Sequence, residues 1–202
     1  MNRIDEPKNE RSRRTRARVL DATWRLLEER GSHGVTMAAV ADQAGVTRRA
    51  LYLHFSSRAD LLMALHTHVD ETLDLASSVR RVFDAPDGVA ALDAFATHLA
   101  EFHPRIQAVD DALLRARDTD PDVAALVEHG SRVWMEGCRH ITQRLADEGR
   151  LAEPWTVDTA ADVLWHFMFP DVVRRLRGER TWTLDQHRDL LGVLLRRTLV
   201  AD

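Results

Sequence analysis

The twenty residues Thr36–Phe55, TMAAVADQAGVTRRALYLHF, constrain this chain more than any other stretch. Thr36 is a good N-cap, because its hydroxyl accepts one of the orphan amides of a helix's first turn. MAAVADQA then reads as a short helix with Val40 and Ala41 on its inner face. Gly45 follows where a helix must end, and glycine enters the left-handed conformation at little cost. Val46 is an apolar pin in the turn, and Thr47 caps a second short helix, RRALYLHF. Two short helices about one tight glycine turn form a helix-turn-helix. Its second helix opens Thr47-Arg48-Arg49, so hydrogen-bond donors stand at the end that would enter a duplex groove.

Charge supports the same reading. The chain has 202 residues and a net charge of −4, which alone would argue against nucleic acid. Its distribution is uneven: residues 1–60 hold 12 Lys+Arg against 8 Asp+Glu, and the remainder 16 against 24. A basic end on an acidic body suits a protein that meets DNA with one face. The polar residues 1–12 are expected to be disordered, offering Arg3, Lys8 and Arg11 to phosphates.

Residues 15–62 resemble the DNA-binding domain of the tetracycline-repressor (TetR) family of bacterial transcriptional regulators. The resemblance rests on Val19-Leu20-Asp21-Ala22, on Gly31 and Gly34 before Thr36, and on the Ala44-Gly45-Val46-Thr47 turn. It continues through Leu51-Tyr52-Leu53-His54-Phe55 and Asp60-Leu61-Leu62, about a quarter of the chain. Arg58 and Ala59 stand where the family commonly has Lys-Glu; arginine keeps the phosphate-binding charge. The resemblance implies that Thr36, Tyr52, His54 and Arg58 hold the phosphate backbone. Thr47, Arg48 and Arg49 would supply base or phosphate contacts, arginine being well suited to guanine edges. Leu51 and Phe55 would hold the helices together.

No β-alternating run, internal repeat or low-complexity tract interrupts the helical patterning, so the expected fold class is all-α. Val19, Ala22, Thr23, Leu26 and Leu27 mark one face of a helix over about 13–30, ended by Gly31 and Gly34. Ser57-Arg58-Ala59-Asp60 opens a helix run to about Arg81, with Leu61, Leu62, Leu65, Val69, Leu73 and Ala76 inward. A helix over 89–102 is expected to break at His103-Pro104, since the residue before proline avoids helical geometry. A short helix over 105–117 follows, then one from Asp120-Pro121 to about Glu148. Residues 157–177 are apolar nearly all round, with Pro170 expected to bend or break them. Thr183 and Gln186 cap a last helix bearing Leu184, Leu191, Leu194, Leu195 and Leu199. The division expected is 1–57 for DNA binding and 58–202 for a helical effector-binding and dimerisation domain.

A two-sided apolar helix needs cover on both sides. In the resembled family the last two helices of each subunit form a four-helix dimer interface, which assigns about 157–200 to a homodimer. Dimers place two reading helices one turn apart on a near-palindromic site. The resemblance also implies a pocket for a small hydrophobic or aromatic effector among the central helices. Its candidate walls are Phe95, Phe102, Trp134, Cys138, Trp165 and Phe169, with His66, His98 and Ser131 as polar groups.

Other classes find little support. There is no GxSxG, GxxxxGK, GxGxxG, HExxH or cysteine pair. No cofactor or metal is therefore expected, and no enzyme activity. Cys138, the single cysteine, excludes an internal disulfide and fits a reducing cytoplasm. The N-terminal residues lack an apolar signal-peptide core, and no run suffices for a membrane span. A cytoplasmic, ligand-responsive repressor acting on double-stranded operator DNA is the expectation. Two alternatives remain: an all-α binding protein or enzyme that has lost DNA binding, and a ligand-independent or activating regulator.

Overall fold

The computed structural model describes residues 10–168 and 174–201. In order they form α1 (Glu10–Gly34), α2 (Met37–Ala44), α3 (Arg48–Tyr52), α4 (Arg58–Thr72) and α5 (Leu75–Phe83). Then come α6 (Gly88–Ala116), α7 (Pro121–Asp147), α8 (Val157–His166), a π-helical turn (Arg174–Glu179) and α9 (Leu184–Leu199). An isolated bridge pairs Leu151 with Val200, and the fold is all-α. No helix among the described residues is long and apolar enough to cross a membrane. Two compact units are distinguished: the described residues through Val69 with Ala108–Leu126, and Asp70–Gln107 with the described residues from Val127 onward.

The first unit is built from α1 to α4 together with the end of α6 and the start of α7. α1 packs against α2, and α2 against α3. Val19, Ala22, Thr23, Leu26 and Leu27 of α1 are all buried, as their spacing predicts. Val40, Ala41, Leu51, Phe55, Leu61, Leu62 and Leu65 are buried too. Thr23, the polar member of that face, donates its hydroxyl to the Val19 carbonyl oxygen at 2.8 Å, so its burial leaves no unmade bond. His68 of α4 reaches Asp21 of α1, Nε2 to Oδ1 at 2.8 Å.

The second unit has one apolar core drawn from α5 to α9. Val82, Leu92, Phe95, Leu99, Cys138, Ile141, Leu145, Ala160, Ala161, Leu164, Leu191, Leu195 and Leu199 form it. The N-terminus of α6 is clamped to the end of α7. The Gly88 N–H donates to both Glu148 carboxylate oxygens, at 3.0 and 2.9 Å, and Arg144 Nη2 donates to the Ala85 carbonyl at 2.9 Å. A Cβ on Gly88 would meet the Leu145 backbone nitrogen at 2.9 Å, so this approach requires glycine. Capping boxes Thr156/Thr159 and Thr183/Gln186 open α8 and α9. Asp93 of α6 pairs with Arg196 in the last turn of α9.

Several expectations are corrected. The helix expected to run from 58 to 81 is broken at Asp74, whose left-handed backbone (φ 53°) separates α4 from α5. The break resets the helical phase, so Ala76 is exposed while Ser78 and Val82 are buried. The break expected at His103-Pro104 is absent: α6 runs through Pro104. Proline there removes one helical hydrogen bond at a cost of about 3 kcal/mol. Burial of Leu99, Phe102, Val109 and Leu113 on either side outweighs that loss. Residues 10–12 lie in α1 rather than in a disordered arm. Helix α8 ends at His166, and Arg3, Lys8, Phe169 and Pro170 lie outside the described residues.

Candidate nucleic-acid interface and effector region

The helix-turn-helix is made by short-range capping. The Ala39 N–H donates to Thr36 Oγ1 at 3.1 Å, and the Ala50 N–H to Thr47 Oγ1 at 3.1 Å. Gly45 is left-handed (φ 61°, ψ 40°), and its N–H donates to the Ala41 and Asp42 carbonyls. The Val46 N–H then returns to the Ala41 carbonyl at 3.0 Å and closes the turn. A threonine hydroxyl that accepts a capping bond retains its own proton to donate. Thr36 and Thr47 are both exposed, so each can offer that proton to a phosphate oxygen.

Arg48 and Arg49 are exposed on the first turn of α3, and Tyr52 and Leu53 are 53% and 75% exposed at its end. Such exposure of large side chains on one short helix leaves a surface for a partner to cover. His54 is half-buried; burial and then the Arg16 charge hold its imidazole below the usual histidine range.

Arg16 is a residue that sequence reasoning missed. From α1 its Nη1 donates to the His54 carbonyl at 3.3 Å, and its guanidinium lies 4.5 Å from the centre of the Phe55 ring. It thereby ties the C-terminal end of α3 to α1. Arg58, assigned by resemblance to phosphate, is drawn inward. Its Nε donates to the Val35 carbonyl, and its Nη2 to Ser32 carbonyl and hydroxyl oxygens, each at 2.9 Å. Arg58 thus holds the loop that ends in Thr36. Burial lowers its pKa from the ordinary arginine value. Ser57 Oγ accepts from the Asp60 N–H at 3.0 Å, as the expected capping box requires, while the Asp60 carboxylate accepts from the Ser56 N–H at 2.7 Å, one residue before the expected partner.

The expected effector residues divide between the units. His66 is a half-buried residue of α4 in the first unit. Phe95, His98, Phe102, Ser131, Trp134, Cys138 and Trp165 belong to the second, and Phe169 lies outside the described residues. Phe95 and Cys138 sit in the apolar core. Burial pushes the Cys138 thiol up to about 12, leaving it protonated and unreactive. Trp165 packs partly buried against the same core, and Ser131 is half-buried on α7.

His98, Phe102 and Trp134 do come together. The His98 ring stacks on Phe102 with centroids 5.0 Å apart and lies 5.2 Å from Trp134. Its Nδ1 is 2.9 Å from Ser78 Oγ, which also accepts from Arg81 at 3.1 Å. Burial, then the Arg81 charge, lowers the His98 pKa to about 4. His103 lies edge-on to His98 at 6.5 Å. Burial, followed by His98 and His187, lowers its pKa to about 3. Ser78, His103 and His187 were not among the expected residues. Among the described residues no group of three or more His, Cys, Asp or Glu is placed to hold a metal ion.

Comparison with known proteins agrees with this arrangement. The family model described as "Bacterial regulatory proteins, tetR family" matches residues 19–65, which span most of α1 through half of α4. The HTH-type transcriptional regulator TtgR of Pseudomonas putida is 27% identical over 190 residues, covering 91% of this chain and 87% of TtgR. The HTH-type transcriptional repressor BepR of Brucella suis is 27% identical, covering 86% of each chain. A crystal structure of a transcriptional regulator from Saccharomonospora viridis, in complex with choline, shares the fold. Its TM-score is 0.79 at 18% identity, over 94% of this chain and all of that one. A capped helix-turn-helix with an exposed arginine-bearing helix, in a chain matched to these relatives over most of its length, leads to one assignment: residues 19–65 carry the tetR-family DNA-binding domain, and the chain as a whole is similar to DNA-binding transcriptional regulators.

Proposed function

We propose that this chain is a homodimeric repressor of a near-palindromic operator, released when a small hydrophobic or aromatic effector binds in its second unit. The observation that carries the reading is the exposed set Thr36, Thr47, Arg48, Arg49 and Tyr52 on two helices that their own caps hold in place. Arg48 and Arg49 stand where base edges would be met, and the threonines and Tyr52 where phosphates would fix the register. Arg16 and Arg58 act from behind, through Phe55 and the Ser32–Val35 loop. The repressor direction is supported by the likeness to BepR, and effector binding by the choline complex of a protein with the same fold.

One recognition helix makes too few base contacts for a specific site, and two placed about 34–36 Å apart double them. Val193 and Leu194 on α9 are 55% and 40% exposed, an apolar pair beside core positions of the same helix. They lie within the proposed dimer segment 157–200. In this reading residues 1–57 read DNA and 58–202 bind effector and dimerise. An effector shifts operator affinity only by as much as it prefers the released conformation.

The test is fluorescence anisotropy with the DNA flanking the chain's own gene, at several salt concentrations. Saturable binding preferred over random duplex by about a thousandfold, with a steep salt slope, is expected. Indifference to every duplex in dilute buffer overturns the reading. Val193→Glu with Leu194→Glu should give a folded monomer by sedimentation, and an intact dimer would remove α9 from the interface.

A further inference from the structure

Among the described residues the second unit buries five polar side chains: Ser78 of α5, His98 and His103 of α6, Thr142 of α7 and His187 of α9, each no more than 4% exposed. His98 is accounted for by Ser78, because Oγ accepts from Arg81 and still has a proton to give to Nδ1. His103 differs. Its Nδ1 is fully buried and has no hydrogen-bond partner among the described residues. Leaving such an atom unpaired disfavours folding, whereas a leucine there would carry no such cost. What stands around it is aromatic: His98 edge-on, and beyond it Phe102 and Trp134 in contact with the His98 ring.

We propose that His103 Nδ1 is the polar anchor of the effector site, and that the effector is an uncharged aromatic molecule carrying a hydroxyl group. This rests on the effector-binding reading above and specifies its chemistry. A hydroxyl both donates and accepts, so it satisfies Nδ1 in either imidazole tautomer. A planar ring matches the edges and faces that His98, Phe102 and Trp134 present. A carboxylate or ammonium group would leave water beside imidazoles that remain neutral at pH 7, without a counter-charge at the anchor. Arg81, the charge that acts on His98, is paired with Glu101 at 3.5 Å. A site built to hydrogen-bond one polar atom also rejects the isostere that lacks it, because the buried partner is then left unpaired.

The experiment is isothermal titration calorimetry on the full chain with three probes of one size: 1-naphthol, 1-methylnaphthalene and 1-naphthoate. The expected result is naphthol bound about tenfold or more tightly than methylnaphthalene, with naphthoate weakest. His103→Leu should bind naphthol and methylnaphthalene equally, and His103→Gln should keep part of the preference. Equal affinities in the wild type, a preference that survives His103→Leu, tightest binding of naphthoate, or no binding of any probe each overturns the proposal. Should His103→Leu fail to fold by circular dichroism, the wild-type ratio and His103→Gln decide it. Operator affinity is measured on the same protein without probe. Intact DNA binding with no probe preference removes only the anchor, whereas absent DNA binding removes the regulator reading itself.

Discussion

The Arg16 guanidinium lies 4.5 Å from the centre of the Phe55 ring while its Nη1 donates to the His54 carbonyl oxygen. Helix α3 is only five residues long, too short to persist without tertiary support. Phe55 is fully buried, so the contact anchors the end of α3 to α1. A cation over an aromatic face contributes about 0.5–2 kcal/mol. Arg16→Ala should therefore speed amide exchange of Leu53, His54 and Phe55 about tenfold and lower operator affinity by a similar factor. Unchanged exchange at these amides would show that α3 is held elsewhere.

Arg58 and Arg49 allow holding to be tested apart from the proposed reading of bases. Arg58→Ala removes three hydrogen bonds to the Ser32–Val35 loop and should lower stability by about 1–3 kcal/mol. The slope of log affinity against log salt should stay unchanged, because no phosphate partner is lost. Arg49→Ala should leave stability alone and cost about 1–3 kcal/mol on the operator, with little loss on random DNA. A salt slope reduced by about one in Arg58→Ala would return that residue to the phosphates.

The contrast between these two arginines explains what the sequence discloses. The caps of α2 and α3 and the Gly45 turn join residues at most five apart, so residue type and spacing reveal them. Exposure of Arg48 and Arg49 follows from the same short pattern. Arg16 and Arg58 find partners 38 and 23–26 residues away, which no local pattern encodes. His103 was hidden for a related reason. Pro104 marks a helix end by local rules, yet packing carries α6 through it and buries His103 in the core. The α4–α5 break is the converse case, with neither glycine nor proline at Asp74 to announce it.

That break yields a prediction of its own. Asp74 holds φ 53° and ψ 48° without a side-chain cap bond, a conformation that costs a non-glycine residue about 1 kcal/mol or more. Asp74→Gly should relieve that strain, while glycine's larger unfolded-state entropy offsets part of the gain. The expected change in thermal midpoint is a small rise of about 1–3 °C. A drop of several degrees would mean that the Asp74 carboxylate supports the break through a contact worth more than the strain.

Gly88 tests the clamp between α6 and α7. An added methyl would meet the Leu145 backbone nitrogen at 2.9 Å and Glu148 Oε2 at 3.1 Å, and a backbone atom cannot swing aside. Gly88→Ala should destabilise the chain by about 1–3 kcal/mol, the usual cost of overpacking. Its operator affinity at a temperature where it remains folded should be unchanged. A stability equal to wild type would show that the ends of α6 and α7 separate freely.

The buried histidines set a pH dependence whose direction follows from their native pKa values of about 4 for His98 and about 3 for His103. Unfolded histidine titrates near 6.5, so between pH 6.5 and about 4 the unfolded chain binds protons that the native one refuses. Stability contributed by the neutral pair is therefore full above pH 6.5 and declines as the pH falls. At pH 5 the loss is about 2 kcal/mol for each histidine, before any opposing change from carboxylates. Urea unfolding at pH 7 and pH 5 measures it, and His103→Leu supplies the control. Removing one of the two groups should shrink the pH 7 to pH 5 difference by about 2 kcal/mol relative to wild type. An identical difference in both proteins would mean that His103 takes up its proton as readily folded as unfolded, which its burial beside two other imidazoles does not allow.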